Sequence, residues 1–549
     1  MKKFFLLAVL SGVSVYSVYA QWSNNPVVNN AICTEADYQE YPQVISDGNG
    51  GAIITWQDKR NGNDKDIYAQ KVNADGVIQW TAGGVLICSA PEDQQTPVLV
   101  SDGAGGAIIA WEDYFSGNWD IYAQRINSSG VAQWTPGGEA VCTITTSQNY
   151  LDIISDGAGG AIMAWEDNDG TSPDIYIQRI NASGLTQWTA GGVAICTATG
   201  NQYTPKLAED ESGGAIIVWE DQRGVAADIY AQHINASGVI SGLADGLVIC
   251  DATDYQFTPA ICSDGAGGAV FTWQDKRSGN WDIYAQKVIS GGALQWTANG
   301  VAVNTVAGDQ QYPQLVSDQN GGAIIAWQDG ISDASDIYAQ HISSAGNLIW
   351  TAYGVAVTDI ADNQSSPQII ADNSGGAIIA WLDTRNGNIN PDIYAQFLNV
   401  SGVPQWTADG TGVCLQTANQ SNVKLVSDGN GGAIFTWDDT RTGSTDIYAQ
   451  NICASGWLGL CTSSISDREN SSAISLATAN NILTVQFENI HNQQSVLSIV
   501  DISGKLLFTE NNVNTTNRFE INTSAFSSGI YLVILQSGSA TQTAKFFKN

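Results

Sequence analysis

Gly106-Ala107-Ile108-Ile109-Ala110-Trp111, followed by Asp120-Ile121-Tyr122-Ala123-Gln124-Arg125-Ile126, decides the fold of this chain, because the pair of segments returns eight times. Its tryptophan recurs as Trp56, Trp111, Trp165, Trp219, Trp273, Trp327, Trp381 and Trp437, at intervals of 55, 54, 54, 54, 54, 54 and 56 residues. A period of this length marks an array of supersecondary units. Within one unit the runs are Thr96 to Val100, Gly106 to Trp111, Asp120 to Ile126, and Val131 to Trp134 continuing towards Val141-Cys142. They are short, β-branched or aromatic, and separated by Asp-Gly, Ser-Gly and Gly-Gly, with no helical period. Each repeat therefore reads as a four-stranded antiparallel sheet.

The turns repeat as faithfully as the strands. An Asp nine residues before each core Trp (Asp47, Asp102, Asp156, Asp210, Asp264, Asp318, Asp372, Asp428) precedes a Gly-Gly pair, where Asp satisfies turn amides and Gly takes positive φ. A second invariant glycine, from Gly76 to Gly456, specifies the hairpin between strands three and four. Eight such sheets predict an all-β, eight-bladed β-propeller, with an open solenoid as the competing arrangement. The ends favour a ring. Gln21-Trp22 and Ala31-Ile32-Cys33 copy the fourth strand (Gln79-Trp80, Leu86-Ile87-Cys88), while the last repeat loses regularity after Asp446 to Ile452. The N-terminal strand is thus expected to complete the eighth blade and leave no open sheet edge.

Composition limits the partners. Across 549 residues, 54 acidic against 21 basic side chains give a net charge of -33, which repels nucleic acid and anionic membranes. Residues 1–20 read as an export signal: Lys2 and Lys3, an apolar run from Phe4 to Val13, and Val18-Tyr19-Ala20 as cleavage site. No later stretch reaches the ~20 apolar residues of a membrane helix, so no transmembrane segment is expected. Six of nine cysteines (Cys33, Cys88, Cys142, Cys196, Cys250, Cys414) share one repeat position, replaced by Asn304 and Thr358 in the other two repeats. Equivalent positions of neighbouring units are not expected within the ~7 Å a disulfide tolerates, so they read as small buried hydrophobes. Cys453 and Cys461 flank a turn and are able to bridge each other, or one of them to reach Cys33.

The segments from Asp66 through Gly76 to Trp80, with their counterparts, resemble the third-to-fourth-strand signature of secreted bacterial β-propeller repeats, and the turn is faintly similar to the Asp-box of sialidase-like propellers. The repeat ends near residue 465. From 466 to 549, strands at 483–487, 496–500 and 530–534 suggest a small C-terminal β-sandwich. Here Leu497-Ser498-Ile499-Val500-Asp501-Ile502-Ser503-Gly504-Lys505-Leu506-Leu507, then Ser528-Gly529-Ile530-Tyr531-Leu532-Val533, then Ala544-Lys545-Phe546-Phe547-Lys548-Asn549 resemble the C-terminal sorting domain (type A) of type IX secretion cargo. The usual Tyr-Pro-Asn-Pro-like entry motif is replaced by Ser471-Ser472-Ala473-Ile474-Ser475-Leu476. The resemblance implies a Gram-negative host, the type IX secretion machinery as partner, and a secreted or outer-membrane-surface destination.

Residues used eight times read as scaffold. The turn Asp, the Trp-x-Asp position (Asp58 to Asp439) and the Asp before Ile-Tyr tie hairpins, although calcium in the Asp-bearing loops is the one cofactor the composition leaves open. Arg60, Arg223, Arg277, Arg385 and Arg441 are expected to pair with nearby Asp. Gln39 and its seven counterparts, 17 residues before each core Trp, should hold the inter-blade loops. His233, His341 and His491 supply no zinc site or catalytic triad.

Function is expected where the repeats disagree. The inter-blade loops carry Tyr38, Tyr41, Tyr150, Tyr203, Tyr255, Phe257 and Tyr312, and the hairpins between strands two and three carry Tyr114, Phe115, Trp119 and Trp281. Aromatic rings beside Asn, Gln and Asp suit sugar or protein recognition. The residue opening each first strand (Gln43, Val98, Asp152, Lys206, Ala260, Gln314, Gln368, Lys424) should face the mouth of the channel, with Asp152, Lys206 and Lys424 as specific polar contacts. The reading favours a non-catalytic exported or cell-surface binding protein for an extracellular glycan or protein. The alternatives are a propeller glycoside hydrolase or lyase, which needs a unique carboxylate pair, and a purely structural surface component.

Overall fold

The computed structural model describes residues 21–330, 334–387 and 390–461, and, of the C-terminal part, 474–479, 482–487, 495–501, 505–511, 519–527, 529–537 and 540–548. The export signal expected at 1–20, His491, Ser471-Ser472, Ile502 to Gly504, Ser528 and Asn549 lie outside the described residues. The chain divides into two compact units, 1–461 and 462–549.

The first unit holds eight antiparallel sheets, here blades 1 to 8 in the order of their core tryptophans. In blade 1 the strands are Gln39–Ser46, Ala52–Asp58, Asp66–Val72 and Val85–Cys88, hydrogen-bonded in that order. Blade 8 runs Gln420–Ser427, Ala433–Asp439 and Asp446–Ile452, and its fourth strand is Asn30–Cys33, with Asn30 opposite Ala449 and Ala31 opposite Tyr448. The first strand of every blade packs against the first strand of the next, and Gln39–Ser46 packs against Gln420–Ser427. The sheets therefore form a closed β-propeller around the eight first strands, completed by the N-terminal strand as its sequence predicts.

Second strands are buried along their whole length in five blades, and all eight core tryptophans are fully buried, because each sheet is covered on both faces. Trp56 also stacks with Tyr68 at 6.4 Å and donates its indole N–H to Asp58 Oδ2 over 2.8 Å. Asp58 in turn holds Arg60, whose guanidinium lies 3.8 Å over the Tyr68 ring. The same Asp–Arg pair occurs at 221/223, 275/277, 383/385 and 439/441. The turn Asp caps its hairpin as expected, Asp47 Oδ1 accepting from the Asn49 and Gly51 amides at 2.8 Å. Gln39 Nε2 donates to the Ala36 carbonyl over 3.1 Å, and Gln94 Nε2 to that of Glu92 over 2.8 Å.

The repeated cysteines are buried thiols, but the position is not simply apolar. Cys33 Sγ lies 3.2 Å from an Arg60 guanidinium nitrogen, and Asn304, at the same place in blade 5, donates to Asp329 Oδ2 over 3.3 Å. Burial pushes the Cys33 thiol up to about 12, so it stays protonated beside the ion pair. Of the two pairings open to the remaining cysteines, the structure shows Cys453–Cys461.

Two devices join blade to blade. At seven of the eight junctions an indole wedge (Trp22, Trp80, Trp134, Trp188, Trp296, Trp350, Trp406) donates its N–H to a carbonyl of the next blade at 2.9–3.2 Å. The ring lies flat on that blade's hairpin glycine: a Cβ on Gly130 would come within 2.8 Å of Trp80. Nearer the channel, every first strand carries a β-bulge whose residue has positive φ, although none is glycine: Tyr41, Thr96, Tyr150, Thr204, Thr258, Tyr312, Ser366 and Asn422, with φ between 47° and 55°. Such a conformation costs roughly 1–3 kcal/mol for a residue with a Cβ. A latch offsets it. The residue after the core Trp of the preceding blade accepts the bulge N–H: Gln57 from Thr96 (3.2 Å), Glu112 from Tyr150 (2.8 Å), Glu166 from Thr204 (2.6 Å), Glu220 from Thr258 (2.7 Å) and Gln274 from Tyr312 (3.1 Å). At the seam Asp438 stands at the same position of blade 8, beside the Tyr41 amide of blade 1, and accepts from Asn422 Nδ2 of its own blade.

In the second unit, sheets of three (Ile474–Ala479, Ile482–Phe487, Phe519–Asn522) and four strands (Leu506–Asn511, Ser495–Asp501, Gly529–Ser537, Ala540–Lys548) share one core of Leu483, Val485, Leu497, Ile499, Ile521, Tyr531, Val533 and Leu535. This is the expected β-sandwich. No helix among the described residues is long and apolar enough to cross a membrane.

Two measurements check this account. Trp22→Ala should cost about 3–5 kcal/mol in denaturant unfolding, as much as Trp80→Ala, because both remove the same wedge; a cost below about 1 kcal/mol would show that the N-terminal segment does not tie the ring. The latches also carry a pH dependence. Burial raises Glu166 from 4.5 to about 7 and Asp438 from 3.8 to about 8, so the folded state keeps protons that the unfolded chain releases. Their contribution is complete below pH 4 and is lost as pH rises towards 8. Glu166→Gln, which keeps the acceptor as Gln57 and Gln274 do, should reduce the fall in melting temperature between about pH 5 and pH 8 by about 1–2 °C; an unchanged slope would refute the assignment.

Candidate functional site

The bulges put unusual side chains on the inter-blade-loop face of the ring. A residue held in the left-handed region, with proline next in six of eight blades, turns out of the ladder at the point where the strand enters the channel. In blades 1 and 3 that residue is tyrosine, and both rings are exposed, Tyr41 at 47% and Tyr150 at 64%. Between them opens a cavity of ≈ 700 Å³ lined by Tyr41, Gln43, Glu112, Trp119, Tyr150 and Lys206, with the Gln95 to Val98 strand as floor. Trp119 reaches it from the hairpin of blade 2, which is fixed to the following inter-blade loop. Its carbonyl accepts from the Gln148 amide at 2.8 Å, and the Asn118 amide donates to Thr146 O at 2.8 Å. Tyr114 braces the indole at 5.0 Å between ring centroids.

Of the polar residues that open the first strands, Lys206 lines this cavity. Lys206 Nζ is 3.8 Å from Asp152 Oδ1, while Asp152 Oδ2 accepts the Leu207 amide at 2.8 Å and is thereby fixed. Lys424, from blade 8, approaches Gln368 Oε1 at 3.4 Å. Burial lowers its pKa, the charge of Lys206 lowers it further, and Asp152 opposes both. In a chain of net charge -33 this is a local cationic spot.

The structure thus brings Tyr41, Trp119, Tyr150 and Lys206 to one cavity, with Asp152 paired to Lys206, while Lys424 stands at Gln368 and the other predicted residues are dispersed. Tyr255, Phe257 and Trp281 form a separate ladder at blade 5, with centroids 5.5 and 5.8 Å apart and Lys276 Nζ 5.2 Å from the indole centroid. Tyr38 lines a small cleft with Glu40, Lys59 and Lys65. Tyr203 receives a hydrogen bond from Asn201 Nδ2 at 2.7 Å, and Tyr312 is the bulge of blade 6.

Glu112, Glu166, Glu220 and Asp438 escape a search for acids in the variable loops because they sit inside the repeat, between the core Trp and its Asp. The signal is there: the position reads Gln57, Glu112, Glu166, Glu220, Gln274, Gln328, Leu382 and Asp438. Glu112 faces the cavity, and burial raises its pKa, while hydrogen bonds, among them that from the Tyr150 amide, oppose the rise. Both its oxygens are engaged, Oε1 by the Tyr150 amide and Oε2 by Gln95 Nε2 at 3.3 Å. Its geometry is that of a latch. Among the described residues no group of three or more His, Cys, Asp or Glu is arranged to hold a metal ion.

No curated protein matches the chain in sequence. Among solved structures it is similar to a protein of unknown function from Dyadobacter fermentans (13% identity, 77% of this chain and 98% of that one, TM-score 0.37). It is similar also to the endo-arabinase of Bacteroides thetaiotaomicron (14% identity, 57% and 97%, TM-score 0.29) and to the polysaccharide lyase Uly1 (10%, 70% and 93%, TM-score 0.38). Residues 479–549 match the family described as Secretion system C-terminal sorting domain. That match begins thirteen residues after the 466 boundary read from the sequence. The C-terminal unit is therefore a type IX sorting domain that engages the secretion machinery, and the protein is secreted or held at the outer-membrane surface.

Proposed function

We propose that the propeller is a non-catalytic, glycan-binding module exported by its sorting domain, and that the ligand lies in the cavity of blades 1 to 4. The observation that carries this reading is the set of three aromatic rings, Tyr41, Trp119 and Tyr150, around ≈ 700 Å³ beside the Lys206–Asp152 pair. Flat rings stack on the apolar faces of sugars, while the fixed lysine and carboxylate take up hydroxyls or an acidic substituent. Flexible loops contribute little: Trp119 is pinned by its hairpin and Tyr150 by its latched bulge, so the cavity is pre-formed. Glycan is favoured over a protein ligand because the rings surround a concavity and not a flat apolar patch.

One observation favours a second reading, glycoside cleavage: Glu112 stands in the cavity with a raised pKa, as a general acid does. A single variant separates the two. Glu112→Gln preserves the latch, so under the binding account a glycan captured on an array of the intact chain keeps its affinity within about twofold. Trp119→Ala and Tyr150→Ala should weaken it roughly tenfold each, an effect of about 1.4 kcal/mol, with melting temperatures unchanged because these rings are not in the core. Turnover of the captured glycan that Glu112→Gln abolishes would establish catalysis instead, and binding that survives both aromatic substitutions would place the ligand elsewhere.

A further inference from the structure

The eighth junction, between blades 4 and 5, lacks its wedge. Where Trp188 follows Trp165 by 23 residues, the residue 23 after Trp219 is Gly242. The carbonyl in register to receive an indole N–H is that of Ser290, since every wedge but two reaches 48 residues ahead. The glycine in register to lie under the ring is Gly292, at which a Cβ would meet nothing within 4 Å. Two further departures fall on the same spot. Leu243 replaces the threonine of six repeats (Thr81, Thr135, Thr189, Thr297, Thr351, Thr407) and is 64% exposed. Ile289 replaces the asparagine of five (Asn73, Asn127, Asn181, Asn235, Asn399), a residue that elsewhere caps its own hairpin, as Asn73 Oδ1 does for the Asp75 and Val77 amides. Together they line an apolar cavity of ≈ 270 Å³ with Phe271, Leu247, Val288 and His233.

We propose that this cleft is a binding site for a free indole-class heteroaromatic, a flat fused ring bearing one N–H donor. Loss of the tryptophan alone would only leave a destabilising void. Exchange of two polar neighbours for Leu and Ile, on a surface where apolar side chains gain nothing unless covered, makes the void a lined site. The other seven junctions show what it accommodates: a ring flat on a hairpin glycine, its N–H on a main-chain carbonyl. His233 supplies an edge contact, for its counterpart His341 meets Trp350 edge-on, with centroids 5.9 Å apart and planes at 65°. The volume agrees, since an apolar cavity of about 150 Å³ holds benzene and this one, at ≈ 270 Å³, has room for a second fused ring.

The test titrates the intact chain with indole, 1-methylindole and N-acetyltryptophanamide, followed by calorimetry and ligand-observed NMR. Two variants accompany it. Ile289→Asn restores a residue that five other repeats carry and therefore folds; the second replaces residues 239–245 by the sequence of residues 185–191, which brings a wedge tryptophan in on a backbone suited to it. Saturable one-to-one binding of indole is expected, about fivefold weaker for 1-methylindole, which lacks one hydrogen bond. It should weaken in Ile289→Asn and vanish in the replaced chain, whose melting temperature should rise. Equal indole binding by the replaced chain, no saturable binding up to about 10 mM, or binding of N-acetyltryptophanamide alone would each overturn the proposal. Glycan binding at the channel mouth is independent of either result.

Discussion

The junction between neighbouring blades is the interaction on which everything else in this propeller depends. A four-stranded sheet that is apolar on both faces has no stable existence alone, and the ring solves this by making each sheet the cover of the next. Burial supplies the free energy, but it does not fix the register of one blade on another. Two directional contacts do: the indole wedge at the outer turns and the carboxylate or amide latch near the channel. Both use a backbone group of one blade and a side chain of its neighbour, so each blade is oriented by the sequence of the one before it. Closure by Asn30–Cys33 then extends the same logic around the circle, Trp22 acting at the seam as Trp80 acts elsewhere.

The latch also explains how function is accommodated. Holding Tyr150 at positive φ is unfavourable, yet the preceding blade compensates it by taking the amide that the bulge frees. The scaffold thereby presents eight bulge side chains, five of them exposed, whose identity the latch does not constrain because it uses only the main chain. Chemistry can vary there without altering the ring, and it does, from Tyr to Thr, Ser and Asn.

Much of this was legible in the sequence, and the reason is periodicity. The tryptophan interval, the Asp and Gly-Gly turns and the stray fourth strand at Trp22 to Cys33 define the ring, since each is a local rule stated eight times. The sorting domain was readable from its motifs. The bulges were not, because their residues are Tyr, Thr, Ser and Asn, and no glycine betrays a left-handed backbone. The latch acids hid inside the repeat, where an eightfold position suggests inert scaffold. Grouping of the aromatics also required coordinates. Trp119 and Tyr150 stand on different blades and line one cavity, whereas Tyr255, Phe257 and Trp281 look equivalent in sequence but stack among themselves. The gap at Gly242 lay in plain view, as one missing member of a series, and its meaning comes from the neighbours that changed with it.

The central claim is that one closed ring of blades, each joined to the next by a wedge, a latch or both, supports all of this. Native-state hydrogen exchange of the intact chain, read on the second strand of each blade, tests it most directly. The account predicts similar protection for all eight strands, including Ala433–Asp439 at the seam and Ala215–Asp221 beside the missing wedge. Exchange that is fast in blades 1 and 8 and slows towards the middle of the chain would contradict it, for that is the behaviour of an open array fraying from its ends.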